Sequence, residues 1–556
     1  MRVLFFSFFL AFFQLPATQA QSPLLPYDRD YYQLIERMEI KQGFFAKEFH
    51  TGVKPFRRKE VVDFLQKYQN TAGSLSSVDA FTISYLLEDS WEYSSDTLTS
   101  STQNKRRKIY RRPADFYSYK DEDWDVHINP VIFFQGGIEQ GEDELRFRNT
   151  RGVTLRGSID KKIGFQTLLT TTDLVFPSWI KRYVQQHGAI PEQGFWKRYG
   201  DNGYSFFSAR GQLNFNATRH IQVHFGHDSH FIGQGFRSFV LSDFSNPFVF
   251  LKLNTQIGPV NFTNLWGQLT ADILTAGGFP TDGRYPQKWF SFHRLGVNLG
   301  QRFNLGIFES VMANQMDWNY LNPLIFYRWV EHQLGTPDKV MVGTDFKWHP
   351  GNGWQLYGQF VLDEFVFNEF FGISGKGSSR NKHGFQLGLN YVSVAGIDNL
   401  DVQLEYNQAR PYTFQEKFDY QSYTNYRIPL THPRGANFRE LILLGRYRPL
   451  PRLSLNGTFL FQMQGKDPAP VDNYGGDILK SRLDNSTSLF GNVIGQGEKT
   501  HTRMYTIRAS YMLRHNLFLD LSQTLRQDSG AALRASDAVF SQLALRWNRS
   551  RFDPHF

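Results

Sequence analysis

Leu453-Ser454-Leu455-Asn456-Gly457-Thr458-Phe459-Leu460-Phe461-Gln462-Met463-Gln464 places Leu453, Leu455, Phe459, Phe461 and Met463 on one face of an extended chain, with Gly457 among them. Ser454, Asn456, Thr458, Gln462 and Gln464 fall on the other face, joined only by Leu460. Side chains alternate across a strand with a period of two, so this stretch reads as a β-strand between an apolar and a polar surrounding. The same period recurs on both sides of it. Leu400, Val402, Leu404 and Tyr406 alternate with Asp401, Gln403, Glu405 and Asn407. Phe385, Leu387, Leu389 and Tyr391 alternate with Gln386, Gly388 and Asn390, and Tyr505, Ile507, Ala509, Tyr511 and Leu513 with Thr506, Arg508 and Ser510.

A soluble β-sandwich alternates as well, but three features favour strands that cross a membrane. Aromatic residues end the apolar faces, as Phe346 and Trp348 do before the turn at 349–353 and Trp354 after it, where an interfacial girdle belongs. The alternating segments run near ten residues, the length of a tilted span of the hydrocarbon layer. Connections fall into two classes. Short turns are read at Asp160-Lys161, 216–218, 349–353, 395–399, 448–452 and 514–516, and long polar stretches at 411–437 and 466–500. Short periplasmic turns and long external loops are the asymmetry of an outer-membrane barrel. Dividing the roughly 430 residues of this region by about 24 per strand and connection predicts a membrane β-barrel of about 16–18 antiparallel strands over residues 125–556. Phe556 ends the chain after a strand-like 539–547, and a terminal aromatic suits the usual address of outer-membrane assembly, although Asp553-Pro554 interrupts the alternation.

Composition agrees. The 556 residues include 53 Phe, 26 Tyr and 11 Trp at a mean hydropathy of −0.43, a polar average unusually rich in rings. The net charge of +9 is spread along the chain rather than clustered, which argues against nucleic acid as a partner. The absence of cysteine excludes disulfides, thiolate metal sites, a cysteine nucleophile and lipid attachment at an N-terminal Cys.

Residues 1–20 read as a signal peptide: Arg2, an apolar run over 3–13, a break at Leu15-Pro16, and small residues before Gln21. Residues 21–115 carry apolar positions at helical spacing: Tyr31, Ile35 and Met38; Val61, Leu65 and Tyr68; Val78, Phe81 and Tyr85. Ser76 and Asp79 have the spacing of a helix cap. A small N-terminal helical segment is expected, as a periplasmic element or a plug. The basic run Lys105-Arg106-Arg107-Lys108, with Arg111-Arg112 beyond it, is a solvated linker or a contact for anionic phospholipid or lipopolysaccharide.

Between 225 and 477 the sequence resembles a family. The segments are Phe225-Gly226-His227-Asp228-Ser229-His230-Phe231-Ile232-Gly233-Gln234-Gly235-Phe236-Arg237-Ser238, Tyr320-Leu321-Asn322-Pro323-Leu324-Ile325-Phe326-Tyr327-Arg328 and Gln359-Phe360-Val361-Leu362-Asp363-Glu364-Phe365. Later ones include Gln403-Leu404-Glu405-Tyr406-Asn407, Ala409-Arg410-Pro411-Tyr412 and Asn473-Tyr474-Gly475-Gly476-Asp477. They are similar to Wzi-like capsule-assembly barrels and RemB-like gliding-motility proteins of the outer membrane. The resemblance implies a barrel with a helical element near the periplasmic mouth, located in the cell outer membrane, that holds capsular polysaccharide or serves surface gliding. It brings no catalytic motif.

Candidate chemistry is sparse. His220, His224, His227, Asp228 and His230 form the best candidate metal cluster, yet a four-residue step along a strand spans about 13 Å, and polar packing is the reading preferred. Gly233-Gln234-Gly235 with Arg237 lacks the third glycine and the strand-to-helix context of a phosphate loop; the glycines suit a tight bend. Asp363-Glu364 and Ser229-His230 are neighbours that point to opposite faces of a strand, against a glycosidase or a hydrolase. No catalytic residue, metal or cofactor is expected. Ligand-binding candidates are Asp228, Arg237, Tyr412, Asn473, Tyr474 and Asp477, and Asp401, Gln403 and Glu405 make a polar stripe facing a wet lumen. The function expected is a non-enzymatic barrel that binds or organises cell-surface polysaccharide; the alternatives are a gliding-motility or surface-display component, partnered by surface motility proteins, and a diffusion channel. Outer-membrane lipid and lipopolysaccharide are partners in every case.

Overall fold

The computed structural model describes residues 22–73, 75–94, 109–271, 285–324, 326–335, 338–530, 536–551 and 555–556. The signal segment and the run Lys105-Arg106-Arg107-Lys108 lie outside the described residues. Past the latter, Arg112 is drawn into the fold, its guanidinium 3.8 Å from the centre of the Trp91 ring.

From Trp124 the chain forms a closed barrel of 18 antiparallel strands. They are β1 Trp124–Glu139, β2 Arg146–Ile159, β3 Ile163–Val175, β4 Gly203–Asn216, β5 Ile221–Asp228 and β6 Phe248–Ile257. Next come β7 Val260–Thr270, β8 Gln287–Leu299, β9 Phe303–Ala313, β10 Lys339–Trp348, β11 Trp354–Glu364 and β12 Lys382–Tyr391. The last are β13 Leu400–Ala409, β14 Phe438–Leu450, β15 Leu453–Lys466, β16 Glu498–Arg514, β17 Leu517–Ser529 and β18 Ser536–Trp547. Pairing of β18 with β1, for example Leu543 opposite Gly136, closes the ring and leaves no free edge.

Alternation decides which way each residue faces. Ile307, Ile507 and Leu521 are exposed on the outer surface, whereas Thr506, Arg508, Ser522 and Thr524 point inward and are buried. One end of the barrel carries the short connections 160–162, 217–220, 258–259, 300–302, 349–353, 392–399, 451–452 and 515–516. Asp160, Lys161 and Asn516 adopt positive φ there, which tight turns between twisted strands require. The opposite end carries the long segments 176–202, 229–247, 314–338, 410–437 and 467–497.

Three helices, α1 Arg29–Gln42, α2 Arg58–Thr71 and α3 Ser77–Asp89, pack through Ile35, Met38, Val61, Leu65 and Leu86. Asp28 caps α1 by accepting the Tyr31 N–H at 3.0 Å, Gly43 ends it in the left-handed region, and Ser76 caps α3 at the Asp79 N–H. The bundle sits in the short-turn mouth. Gly353 N–H donates to Ile40 O at 2.8 Å, Asn516 Nδ2 to Asp89 Oδ1 at 2.8 Å, and Arg448 Nη1 to Thr82 Oγ1 at 2.6 Å. Arg37 of α1 joins Asp79 of α3 to Asp401 of β13, the latter at 2.8 Å.

The interior differs from the wet lumen expected. Segment 229–247 turns inward, and Phe231–Ile232 pairs antiparallel with Val53–Lys54 from the N-terminal segment. Segment 410–437 lies on it, with Tyr423 Oη donating to Val240 O at 3.1 Å and Ser242 N–H to Leu430 O at 2.8 Å. Around them Phe248, Phe250, Phe290, Phe292, Phe308 and Phe438 project inward from the wall and form one apolar cluster with Phe239 and Phe414. This part of the bore is an apolar, largely aromatic core. β18 stops at Trp547, and Phe556 is buried inside, its ring 4.5 Å from Tyr183 and 5.1 Å from Phe244.

Ile507, 71% exposed in the middle third of β16, tests the outer surface. Ile507→Lys should cost about 2–4 kcal/mol, the penalty of a lysine near the bilayer midplane. Refolding from urea into lipid vesicles, read as the heat-modifiable gel band, measures it; an unchanged midpoint would mean that this face does not meet lipid.

Candidate functional site

The polar stripe of β13 faces inward and holds the inserted segments. Glu405 accepts the backbone N–H groups of Phe236 at 2.6 Å and Arg237 at 3.0 Å, and the Tyr357 hydroxyl at 2.8 Å. Gln403 Nε2 donates to Tyr357 Oη at 2.8 Å. Gly235 lies so close to Glu405 that a Cβ there would collide with the carboxylate, which explains the glycine of this bend. Arg237 forks onto Glu440, with Nη2 at 3.0 Å from Oε1 and Nε at 3.2 Å from Oε2. His432 Nε2 donates to Glu440 Oε2 at 2.7 Å while its Nδ1 accepts the Arg434 N–H at 3.1 Å.

The loop candidates converge as well. Tyr412 is buried, and its hydroxyl donates to Asn473 O at 3.0 Å and meets Thr487 Oγ1 at 2.8 Å; burial pushes that hydroxyl up to about 12. Asn473 is buried and accepts Gln415 Nε2 at 3.1 Å, Tyr474 O accepts Asn437 Nδ2 at 3.2 Å, and Asp477 Oδ1 accepts the Leu479 N–H at 3.0 Å. These groups knit 410–437 to 467–497 into a cap over the long-loop end. Outward the cap exposes Phe418, stacked on Tyr420 at 5.5 Å and 6°, beside Val471, Leu483 and Val493.

The histidine block divides: His224 and His230 are both buried inside near Lys252, and no third ligand joins them among the described residues. His224 and Asp228 face inward on β5 and His227 outward, and His220 sits at the turn, its Nδ1 2.9 Å from Gln256 O. Asp228 instead accepts Gln212 Nε2 at 3.2 Å and lies 3.7 Å from Arg210. Among the described residues Glu92, Asp125 and His127 bring ligand-type atoms within 4.8 Å of one another. Arg156 already pairs with Glu92, and His127 bonds Asp115 at 2.7 Å and Asp125 at 3.0 Å, so cationic side chains supply the charge that an ion would bring.

A cavity of about 250 Å³ opens at the short-turn mouth beside α1 and α3. Arginines outnumber aspartates on its wall: Arg210, Arg446, Arg448, Arg546, Arg549 and Arg551 are among them, with Asp28, Asp30, Asp228 and Asp401. Arg446 bonds the neutral Gln403 at 2.9 Å, and neither Arg446 nor Arg549 makes an ion pair among the described residues. Burial holds the Arg549 guanidinium down to about 9, with Arg148 and Arg210 adding to the effect. Nearby, burial and Asp243 raise the Glu192 carboxyl to about 7, which leaves the region shorter still of negative charge. Such a wall suits a carboxylate or other oxyanion. Sequence reading found Asp228 and Asp401 but missed the arginines; the signal available was that Arg446, Arg448 and Arg546 fall on the inward phase of their strands.

No protein-family model matches the sequence, and no curated protein matches it. By structure, the chain is similar to Wzi, described as an outer-membrane protein involved in group 1 capsule assembly in Escherichia coli and a carbohydrate-binding β-barrel. The TM-score is 0.57 at 12% identity, over 95% of this chain and 100% of that one. OccK8 of Pseudomonas aeruginosa gives a TM-score of 0.42 at 10% identity over 77% and 98% of the chains, and OccAB2 of Acinetobacter baumannii 0.42 at 8% over 77% and 99%; at those scores the two carry no argument.

Two outcomes are expected of the buried charges. Glu440→Ala leaves Arg237 and His432 buried without their carboxylate and should cost about 3–5 kcal/mol; trypsin should then cleave after Arg237, which is buried in the parent protein. Burial holds His187 down to about 3 and His432 to about 4. Their folded values lie below the ordinary ~6.5, so their contribution to stability is full above about pH 6.5 and is lost as pH falls toward 4. The drop in melting temperature between pH 7 and 4.5 should shrink in H187Q/H432Q; an equal drop would count against the two histidines. The chain thus has the fold of an 18-stranded outer-membrane β-barrel, comparable over its length to Wzi.

Proposed function

We propose that this protein is a non-enzymatic barrel of the outer membrane that binds cell-surface polysaccharide, with its short turns and helices toward the periplasm. The observation that carries this reading is the filled bore. Helices occupy one mouth, segments 229–247 and 410–437 cross the middle, and 467–497 closes the other end. A barrel so occupied is better suited to holding a ligand than to passing solutes. At the long-loop end the stacked Phe418–Tyr420 pair offers a flat aromatic face for a sugar ring of the surface polymer, and the arginine-lined cavity at the short-turn mouth suits an acidic sugar unit met on the periplasmic side. The likeness to a carbohydrate-binding barrel supports the same reading. Lipopolysaccharide and capsular polysaccharide are the natural partners; a role in gliding motility of the RemB kind remains the alternative biological setting.

Purified protein in planar bilayers should give no steady single-channel current; a stable conductance would return the diffusion channel. Binding to a carboxylated polysaccharide, measured by calorimetry, should weaken about tenfold in Arg446→Ala or Arg549→Ala, the loss of one charge-assisted hydrogen bond. Unchanged affinity in both variants would place the ligand elsewhere, and no binding to acidic or neutral polysaccharide would overturn the proposal.

A further inference from the structure

The outer surface of the barrel is interrupted at one place. On β9, Leu305, Ile307, Glu309, Val311 and Ala313 share the outward phase. Ile307 is 61% exposed, but Glu309 is 4% and Val311 1%. The register carries the same face across β8 and β7, where Leu295 pairs with Ile307, His293 with Glu309, and Asn264 with His293. Leu295 is exposed, whereas His293 and Asn264 are covered. A polar patch therefore stands on the lipid-facing wall, directly beyond the last exposed leucine and isoleucine of the apolar belt.

Residues 314–324 and 326–335 cover it. This connection folds down the outside of the barrel rather than over its mouth. Helix α4, Tyr327–Leu334, sets its first N–H groups on Glu309: Tyr327 N at 2.7 Å and Arg328 N at 2.8 Å. His293 Nε2 lies 3.2 Å from Glu309 Oε2, and the rings of His293 and Tyr327 are 4.4 Å apart. Trp266 Nε1 donates to Tyr320 O at 2.9 Å, and Tyr320, Tyr327 and Val330 pack on Val311 and Val340. The opposite side of this flap is bare and amphipathic, with Arg328, His332 and Gln333 exposed on the helix beside large apolar side chains. Trp318 is 77% exposed and Phe326 75%, with Leu324 and Trp329 beside them. Two strands further round, Phe367, Phe371 and Ile373 are exposed in the connection after β11, where Phe370 packs 5.8 Å from the outward His383.

We infer that residues 314–324 and 326–335 form a membrane flap: its outer face lies at the acyl-chain boundary of the leaflet on the long-loop side, with Trp318, Leu324, Phe326 and Trp329 dipped into the hydrocarbon, and its inner face shields the His293–Glu309 pair. Continuity decides the occupant. The flap rests on a wall whose next exposed residues are Leu295 and Ile307, so lipid that meets those side chains meets the flap at the adjoining level. Amphipathic helices with Trp, Phe and Leu on one face settle at this boundary, and an unshielded charge on the lipid face of a barrel is costly. The segment does for the barrel what polar loops do not: it widens the apolar belt over β7 to β10.

Quenching of tryptophan fluorescence tests it in the full chain. Reconstituted protein is measured in vesicles of phosphatidylcholine brominated on the acyl chains, and separately with aqueous iodide, as parent, W318F/W329F and W348F/W354F. Retained heat-modifiability shows that each variant folds. The expected result is that W318F/W329F loses a share of the bromine-quenched emission and none of the iodide-quenched emission. If it loses iodide-quenched emission instead, the flap lies in water and the inference falls. If neither quencher loses ground, protein covers the flap and the inference also falls. W348F/W354F, which removes the exposed pair at the short-turn rim, reports on the barrel itself; bromine quenching absent from every form would overturn the membrane barrel as well.

Discussion

Eighteen strands enclose more space than their own side chains can fill. About eight strands give an interior just wide enough for side chains to meet, and at sixteen to eighteen an open bore remains unless other chain enters it. Here the inward polar groups have recruited that chain. Glu405 binds two backbone N–H groups, Glu440 binds Arg237 and His432, and Asp401 binds Arg37. Each carboxylate belongs to the wall and each partner to an inserted segment. The circumference of the barrel thus dictates both the long connections and the charges that receive them.

Those charges are placed for position more than for net stability. A buried ion pair gains little over a well-packed apolar pair, but it is severely unfavourable when its partners are misaligned. The aromatic cluster of Phe239, Phe290, Phe308 and Phe414 supplies non-directional burial, which by itself would tolerate several arrangements of the inserted loops. Fixed acceptors such as Glu405 select one of them. Division of labour between an apolar core and a few directional bonds is familiar in soluble domains; in this protein it operates inside a membrane barrel.

Much of the architecture is legible in the sequence because it is local. The period of two, the turns at Asp160-Lys161 and 349–353, and the apolar stripes of the helices depend on neighbours a few residues apart. The filling of the bore is not local, and only faint signals mark it. Leu460, the lone apolar residue on the polar face of its strand, packs against Phe236 of the inserted segment. Leu441-Ile442-Leu443-Leu444 and Phe248-Val249-Phe250-Leu251 are apolar on both faces, as strands need when lipid lies outside and a dry core inside. Of the candidate ligands, Tyr412, Asn473, Tyr474 and Asp477 do come together, yet their polar groups are spent on one another. The arginines of the cavity were hidden by distance: Arg210, Arg446 and Arg549 come from three remote parts of the chain.

The route of the chain through the bore also constrains how the molecule can be assembled. The helices precede β1 and the buried Phe556 follows β18, so chain from either side of the barrel region lies inside a ring that exists only once β18 has joined β1. The strand pair Val53–Lys54 with Phe231–Ile232 lies within the same enclosure. A finished hoop would have to be threaded twice to receive them. The seam between the first and last strands is thus the one joint in the wall that separates both sets of contents from the outside.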